Sequence, residues 1–138
     1  MRKFTVTAIL FLVAMQAFAQ GAKSPQQLVE AYKSALLAKD LQAYMSLVSL
    51  SKEQDRSAIE WQFRERANAI ITSAKILPFS AYEAQYKQAV SQGAKPTIDP
   101  KGWLLVEFAP NKLPGGVVST YKDVLIFGLR NGRYYFGS

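Results

Sequence analysis

The chain has 138 residues, 17 basic and 10 acidic, and it contains neither cysteine nor histidine. These absences exclude disulfide bonds, thiolate nucleophiles, serine–histidine catalysis and histidine-based zinc sites. No cofactor is expected, since the sequence also has no glycine-rich phosphate loop. The formal charge of +7 comes from scattered basic residues. Such a pattern argues against a nucleic-acid partner and indicates either a solvated basic surface or attraction to anionic partners.

Residues 1–19 have the three parts of a secretory signal peptide: a basic start, an apolar run over 8–15 and an Ala-Phe-Ala cleavage site. We expect cleavage after Ala19, which leaves 20–138 as one exported α+β domain. A membrane anchor is the alternative, but the apolar run is short for a span, and no later run approaches that length. The lack of cysteine in an exported domain favours a bacterial periplasm.

Three amphipathic helices are predicted after the signal peptide. The first spans 25–39, with Ser24 as its N-cap and a proline at its first position. Asp40 is expected to cap a second, short helix. Apolar residues at helical spacing predict a third helix over 58–75.

The segment 81–91 permits two interpretations. Ser80 and Glu83 have the spacing of a capping box, which predicts a helix that is ended by Gly93. The alternative is an edge strand through the tyrosines of this segment. Beyond it we expect a short strand over 95–98 and a turn over 99–102.

The C-terminal part is predicted to form a β-sheet. One strand covers 103–109, and two further β-rich runs flank an Asn-Gly dipeptide at 131–132, which suits a type I′ hairpin turn. This turn fixes the register and places Arg130 opposite Arg133. The core face of the hairpin is then formed by Leu125, Phe127, Leu129, Tyr134 and Phe136.

Helices first and strands last predict an α+β fold, with the N-terminal helices packed on one face of a curved antiparallel β-sheet. A curved sheet leaves a cavity at its wide end, which is a common place for a ligand site.

Two stretches of the sequence resemble the nuclear-transport-factor-two-like superfamily of cystatin-like α+β cones, especially its small exported bacterial members. They are residues 24–32 with the Lys-Asp-Leu step at 39–41, and the closing strands that end at 131–135. The resemblance implies a cone fold. Its members include isomerases, dehydratases, cyclases and non-catalytic binding modules, so the fold alone does not choose a function.

One catalytic scheme needs no histidine. A site similar to that of ketosteroid isomerases uses a carboxylate base with tyrosine and acid donors. The candidates are Tyr44, Glu107, Tyr121 and Asp123, although their spacing does not require them to meet. We therefore favour a non-catalytic module that binds a small apolar or anionic ligand or a partner protein. A cofactor-independent isomerase or hydratase is the alternative.

The candidate ligand-binding residues are the aromatic and charged side chains Tyr44, Trp61, Trp103, Glu107, Tyr121, Arg130, Arg133 and Tyr135. Arg130 and Arg133 form either an anion clamp or a pair that extends into water. Tyr135 lies opposite Gly128, and a ring laid over a strand glycine is explained without a ligand. A further alternative is a homodimer formed through the outward sheet face, with Val124, Ile126 and Tyr135.

Overall fold

The computed structural model describes residues 21–50, 53–112 and 114–137. Helices pack on a five-stranded, mostly antiparallel sheet, which confirms the predicted α+β class. The predicted signal peptide lies outside the described residues, so both its presence and its cleavage stay predictions. Within the described ranges, no helix is long and apolar enough to cross a membrane.

The helices are α1 (Pro25–Leu37), α2 (Leu41–Met45), α3 (Glu53–Ala67) and α4 (Glu83–Ser91), and a 3₁₀ turn over Phe79–Tyr82 precedes α4. The N-caps predicted at Ser24 and Asp40 are confirmed. Ser24 Oγ accepts a hydrogen bond from the backbone N–H of Gln27, and Asp40 Oδ1 accepts one from Ala43, each at 3.1 Å. The helical interpretation of 81–91 is also confirmed, and the edge-strand alternative is wrong. The expected capping box is wrong as well, because Ser80 lies within the 3₁₀ turn and α4 follows Tyr82, which makes no side-chain cap hydrogen bond.

The main sheet contains β1 (Val48–Ser49), β2 (Ile71–Pro78), β3 (Asp99–Phe108), β6 (Lys122–Arg130) and β7 (Arg133–Gly137), in the order β1-β7-β6-β3-β2. The strands β4 (Asn111–Lys112) and β5 (Val118–Ser119) form a separate two-stranded ribbon. All neighbours in the main sheet are antiparallel except β1 and β7, which are parallel.

The predicted hairpin between β6 and β7 is confirmed with its register, which pairs Arg130 with Arg133 and Gly128 with Tyr135. Asn131 and Gly132 have φ angles of +52° and +76°, as a type I′ turn requires. The ring of Tyr135, however, packs against Gly21, where an added Cβ would lie 2.6 Å from the ring. The space beside Gly128 is filled by the backbone of Asp99 and Pro100.

Two predicted boundaries are wrong. The third helix was expected to continue to Lys75, but it ends at Ala67, and 71–78 form strand β2, which pairs with β3. The expected strand over 95–98 and turn over 99–102 are instead an irregular segment followed by the start of β3. Pro100 is accommodated there because the register between β3 and β6 shifts at this point, which is where proline is tolerated in a sheet.

The hydrophobic core lies between α1, α3 and the inner face of the sheet. Leu104, Val106 and Phe108 of β3 are buried there beside Phe127 and Phe136 of the hairpin, as their alternation predicts. On the outer face, α4 and the 3₁₀ turn cover the end of the sheet that carries Trp103.

Candidate functional site

An ion pair lies near the end of the inner face, between the last turn of α3 and the start of β6. The guanidinium of Arg66 donates two hydrogen bonds to the carboxylate of Asp123, one of them at 2.8 Å. This hydrogen bonding raises the pKa of Arg66 above its ordinary value. The same guanidinium lies 4.6 Å from the centre of the Tyr121 ring, at cation–π distance.

Two buried tyrosines lie deeper on the same side of the sheet. The rings of Tyr32 and Tyr44 are 5.8 Å apart, and Tyr44 also contacts Phe63 at 5.2 Å. Burial raises the pKa of Tyr44 to about 12, with a further contribution from the charge of Asp123. Burial raises the pKa of Tyr32 still further, and its hydroxyl has no hydrogen-bond partner among the described residues. Both tyrosines therefore stay protonated at neutral pH.

The interior cluster formed by Tyr32, Tyr44, Arg66, Tyr121 and Asp123 offers little acid–base chemistry. Both oxygens of Asp123 accept hydrogen bonds from Arg66, so the carboxylate is already engaged by a cation. Glu107 faces the opposite side of the sheet and lies 3.8 Å from the ammonium of Lys122. The four residues proposed for a carboxylate–tyrosine site are therefore divided between the two faces: Tyr44, Tyr121 and Asp123 lie inside, and Glu107 lies outside.

A groove of about 670 Å³ lies on the outer face, between α4 and the sheet. Its volume falls within the range of small-molecule sites. The apolar lining is formed by Tyr86, Ala89, Val90, Ile98, Trp103 and Ile126. We refer to this hollow below as the α4 groove.

Trp103 forms a fixed part of the floor of the α4 groove. Its indole N–H donates to the carbonyl of Phe79 at 2.9 Å, and its ring stacks on that of Phe79 with centroids 6.2 Å apart. Tyr82 contacts the same ring edge-on at 5.5 Å. These contacts hold the indole in one orientation and attach the 3₁₀ turn to the sheet.

The other end of the segment that carries α4 is attached through Thr97. Its hydroxyl donates to the carbonyl of Ser49 at 3.0 Å, and the Ser49 hydroxyl donates back to the carbonyl of Thr97. Arg130 donates to the same Ser49 hydroxyl at 2.9 Å. Between these two attachments, over 83–96, no residue is buried. The segment therefore lies across the groove as a strap that is fixed at both ends.

The charge of the α4 groove is carried by Lys95. It is the one charged residue among the described lining residues. Two nearby lysines are neutralised by local partners, since Lys87 pairs with Glu83 at 3.3 Å and Lys101 with Asp99 at 3.1 Å. The described residues provide no ion pair for Lys95. As for metals, they contain no group of three or more acidic side chains that could hold an ion.

The predicted ligand-binding residues are widely separated. Trp103 lines the α4 groove, whereas Trp61 is on α3 and is 63% exposed. Arg130 contacts Ser49. Arg133 lies opposite Arg130 at the hairpin turn, and their role as an anion clamp stays a prediction, as does a homodimer through the outer face.

Sequence reasoning missed two features of these sites. Arg66 is three residues after the buried Phe63, so it lies on the same side of α3, and this spacing was a usable signal. The groove wall of Tyr86, Ala89 and Val90 also follows helical spacing, but nothing in the sequence indicated which sheet face α4 would cover.

A second hollow, of about 490 Å³, is lined by α1, α2 and the residues that follow each of them. Apart from Leu47, its described lining consists of small and polar residues with no aromatic ring, and it includes the acidic Glu30 and Asp40. No protein-family model, curated protein or solved structure matches this chain.

Proposed function

We propose that this protein is an exported, non-catalytic binding module of the cone-fold type, and that the α4 groove holds a small, largely apolar ligand. The observation that carries the proposal is the composition of this groove. On one side of the groove lies the Trp103 indole, which is held by three contacts. On the other side lies the apolar side of α4, a helix with no buried residue, and the space between them is about 670 Å³.

The way that α4 is placed supports this assignment. An amphipathic helix normally buries its apolar side to contribute to the core. In α4 no residue is buried, and Val90 is 41% exposed. A ligand in the groove would remove Val90, Ala89 and Tyr86 from water, so binding gains the hydrophobic energy that folding leaves unused.

The interior cluster supports a binding module better than an enzyme. Its carboxylate is held by Arg66, and its tyrosines are acids too weak to exchange protons at neutral pH. A catalytic base needs a pKa near the working pH and access to its substrate.

Tryptophan fluorescence tests the proposal, because the chain has two tryptophans and one of them lines the groove. In a Trp61→Phe variant, Trp103 is the sole reporter. We expect titration with the neutral probe 1-decanol to change its emission in a saturable way. The matched Trp103→Phe variant retains the distant Trp61, and its emission should not change.

Two substitutions, one inside the groove and one beside it, test whether the ligand binds in the groove. Ala89→Glu introduces a carboxylate into the groove, whereas Gln88→Glu places one beside it on the same helix, and neither residue is buried. We expect the first to abolish the Trp103 response and the second to preserve it. Equal responses in both variants, or no response in the Trp61→Phe protein, would overturn the proposal.

A further inference from the structure

The lining of the α4 groove is mostly apolar and contains one charged residue. The floor is apolar where Trp103 and Ile126 lie side by side on neighbouring strands. Residues 93–97 also line the groove, and they contribute its one charged residue, Lys95. An apolar lining with a single cation matches a ligand with a hydrocarbon body and one charged end.

The sign of that charged end follows from what surrounds Lys95. The C-terminal end of α4 lies close by, and a helix C-terminus carries partial negative charge. Here its last carbonyls already accept hydrogen bonds: Val90 from the backbone N–H of Gly93, and Ala89 from that of Ala94 at 3.0 Å. The full charge of Lys95 is therefore the dominant one in the groove.

The electrostatic field of the whole protein has the same sign as the charge of Lys95. Without the two basic residues of the signal peptide, the chain has 15 basic and 10 acidic residues, a net charge of +5. The hollow between α1 and α2 differs, because Glu30 and Asp40 line it. An anion is therefore attracted to the molecule as a whole but disfavoured at that hollow, so charge complementarity selects the α4 groove.

We propose that the ligand of the α4 groove is an anionic amphiphile: an alkyl chain lies on Trp103 and Ile126 beneath α4, and a carboxylate or similar anionic head binds the ammonium of Lys95. This inference rests on the proposed function, since it names the chemical class of ligand for the same groove.

Three probes that share a ten-carbon chain test the inference in the Trp61→Phe protein: decanoate, 1-decanol and decyltrimethylammonium. The two ionic probes are used below their micelle concentrations, and decanol is used below its solubility limit in water. An exposed ion pair contributes up to about 1 kcal/mol, so we expect decanoate to bind about two- to fivefold more tightly than decanol at low salt. Decyltrimethylammonium should bind more weakly than both. The preference for decanoate should shrink in about 0.5 M salt, where exposed charges are screened.

The substitution Lys95→Gln should bring the decanoate affinity to that of decanol. Its matched control is Lys87→Gln, which removes the same charge from a residue outside the groove and should retain the preference. If decanoate and decanol bind equally, or if Lys95→Gln leaves the preference intact, the inference is overturned while the groove remains a binding site. If no probe binds, the proposed function itself fails.

Discussion

Arg66 and Asp123 form the least exposed ion pair among the described residues, with side chains 20% and 10% exposed. Removing one partner of such a pair leaves the other charge partly buried and uncompensated. We expect Asp123→Asn to reduce the free energy of unfolding by about 2 to 4 kcal/mol, measured by urea denaturation.

The control for this substitution is Glu107→Gln on the outer face, which breaks the more exposed pair with Lys122. Its expected cost is below about 1 kcal/mol. Similar costs for the two substitutions would show that Arg66 and Asp123 do not form a desolvated pair.

The buried tyrosines make stability depend on alkaline pH. Tyr32 and Tyr44 have pKa values raised from 10.0, that of Tyr44 to about 12. The unfolded chain therefore loses these protons first, so their contribution is fully present below about pH 10 and is lost as pH rises toward 12 and beyond.

The substitution Tyr32→Phe removes one of these protons and a hydroxyl with no described hydrogen-bond partner. Between pH 10 and 12, the variant should lose stability less steeply than the parent, by up to about 1.4 kcal/mol per pH unit. At pH 7 it should be at least as stable, because no hydrogen bond is lost. Denaturation series at several pH values measure both effects, and parallel pH profiles would contradict them.

For single residues, the sequence predicts a contact correctly where that contact depends on neighbouring residues alone. The caps at Ser24 and Asp40 and the pairing of Arg130 with Arg133 depend on neighbouring residues or on one turn, and they were predicted correctly. The pairing of Arg66 with Asp123 joins residues 57 positions apart, which no local pattern reveals.

Among the elements, the β6–β7 hairpin depends on two glycines for different reasons. Gly132 needs its positive φ of +76° and has open space around it. Gly128 has no room for a side chain, because an added Cβ would overlap the backbone carbonyl of Asp99.

We therefore expect Gly132→Ala to cost about 1 to 2 kcal/mol of unfolding free energy. Gly128→Ala should cost about 3 kcal/mol or more, since β3 would have to move away from β6. Urea denaturation of both variants gives the order. If Gly132→Ala proved the more damaging, the close approach of Asp99 to Gly128 would be wrong.

The strap formed by 83–96 should be the least stable described element. It is attached at Trp103 and Thr97, with no buried residue between, so its local opening needs little free energy. In hydrogen exchange, amides of α4 should exchange much faster than those of β3 and β6, and bound decanoate should slow them. Protection of α4 equal to that of the central strands would contradict this.

The boundary between α3 and β2 shows why element prediction failed where it did. Ile70 and Ala74 continue the helical spacing of Ile59 and Phe63, so periodicity alone extends the helix. Pairing with β3 decides otherwise, and a tertiary partner of this kind outweighs local periodicity.

In the whole molecule, the two faces of one sheet have different roles. The inner face is covered by α1 and α3 and contains the hydrophobic core and the ion pair of Arg66 and Asp123. The outer face, beneath α4, contains the groove. The α+β layering could be predicted from the order of helices and strands, but the groove could not, because it depends on the side of the sheet to which α4 returns.

The most direct test of the binding assignment is a map of backbone amide chemical shifts as decanoate is added to the ¹⁵N-labelled protein without the predicted signal peptide. We expect saturable shifts confined to 85–98 and to Trp103, Ile126 and Gly137, which border the α4 groove. Shifts centred instead on the interior residues Tyr32, Tyr44 and Arg66, or no shifts at any residue, would contradict a binding site on the outer face of the sheet.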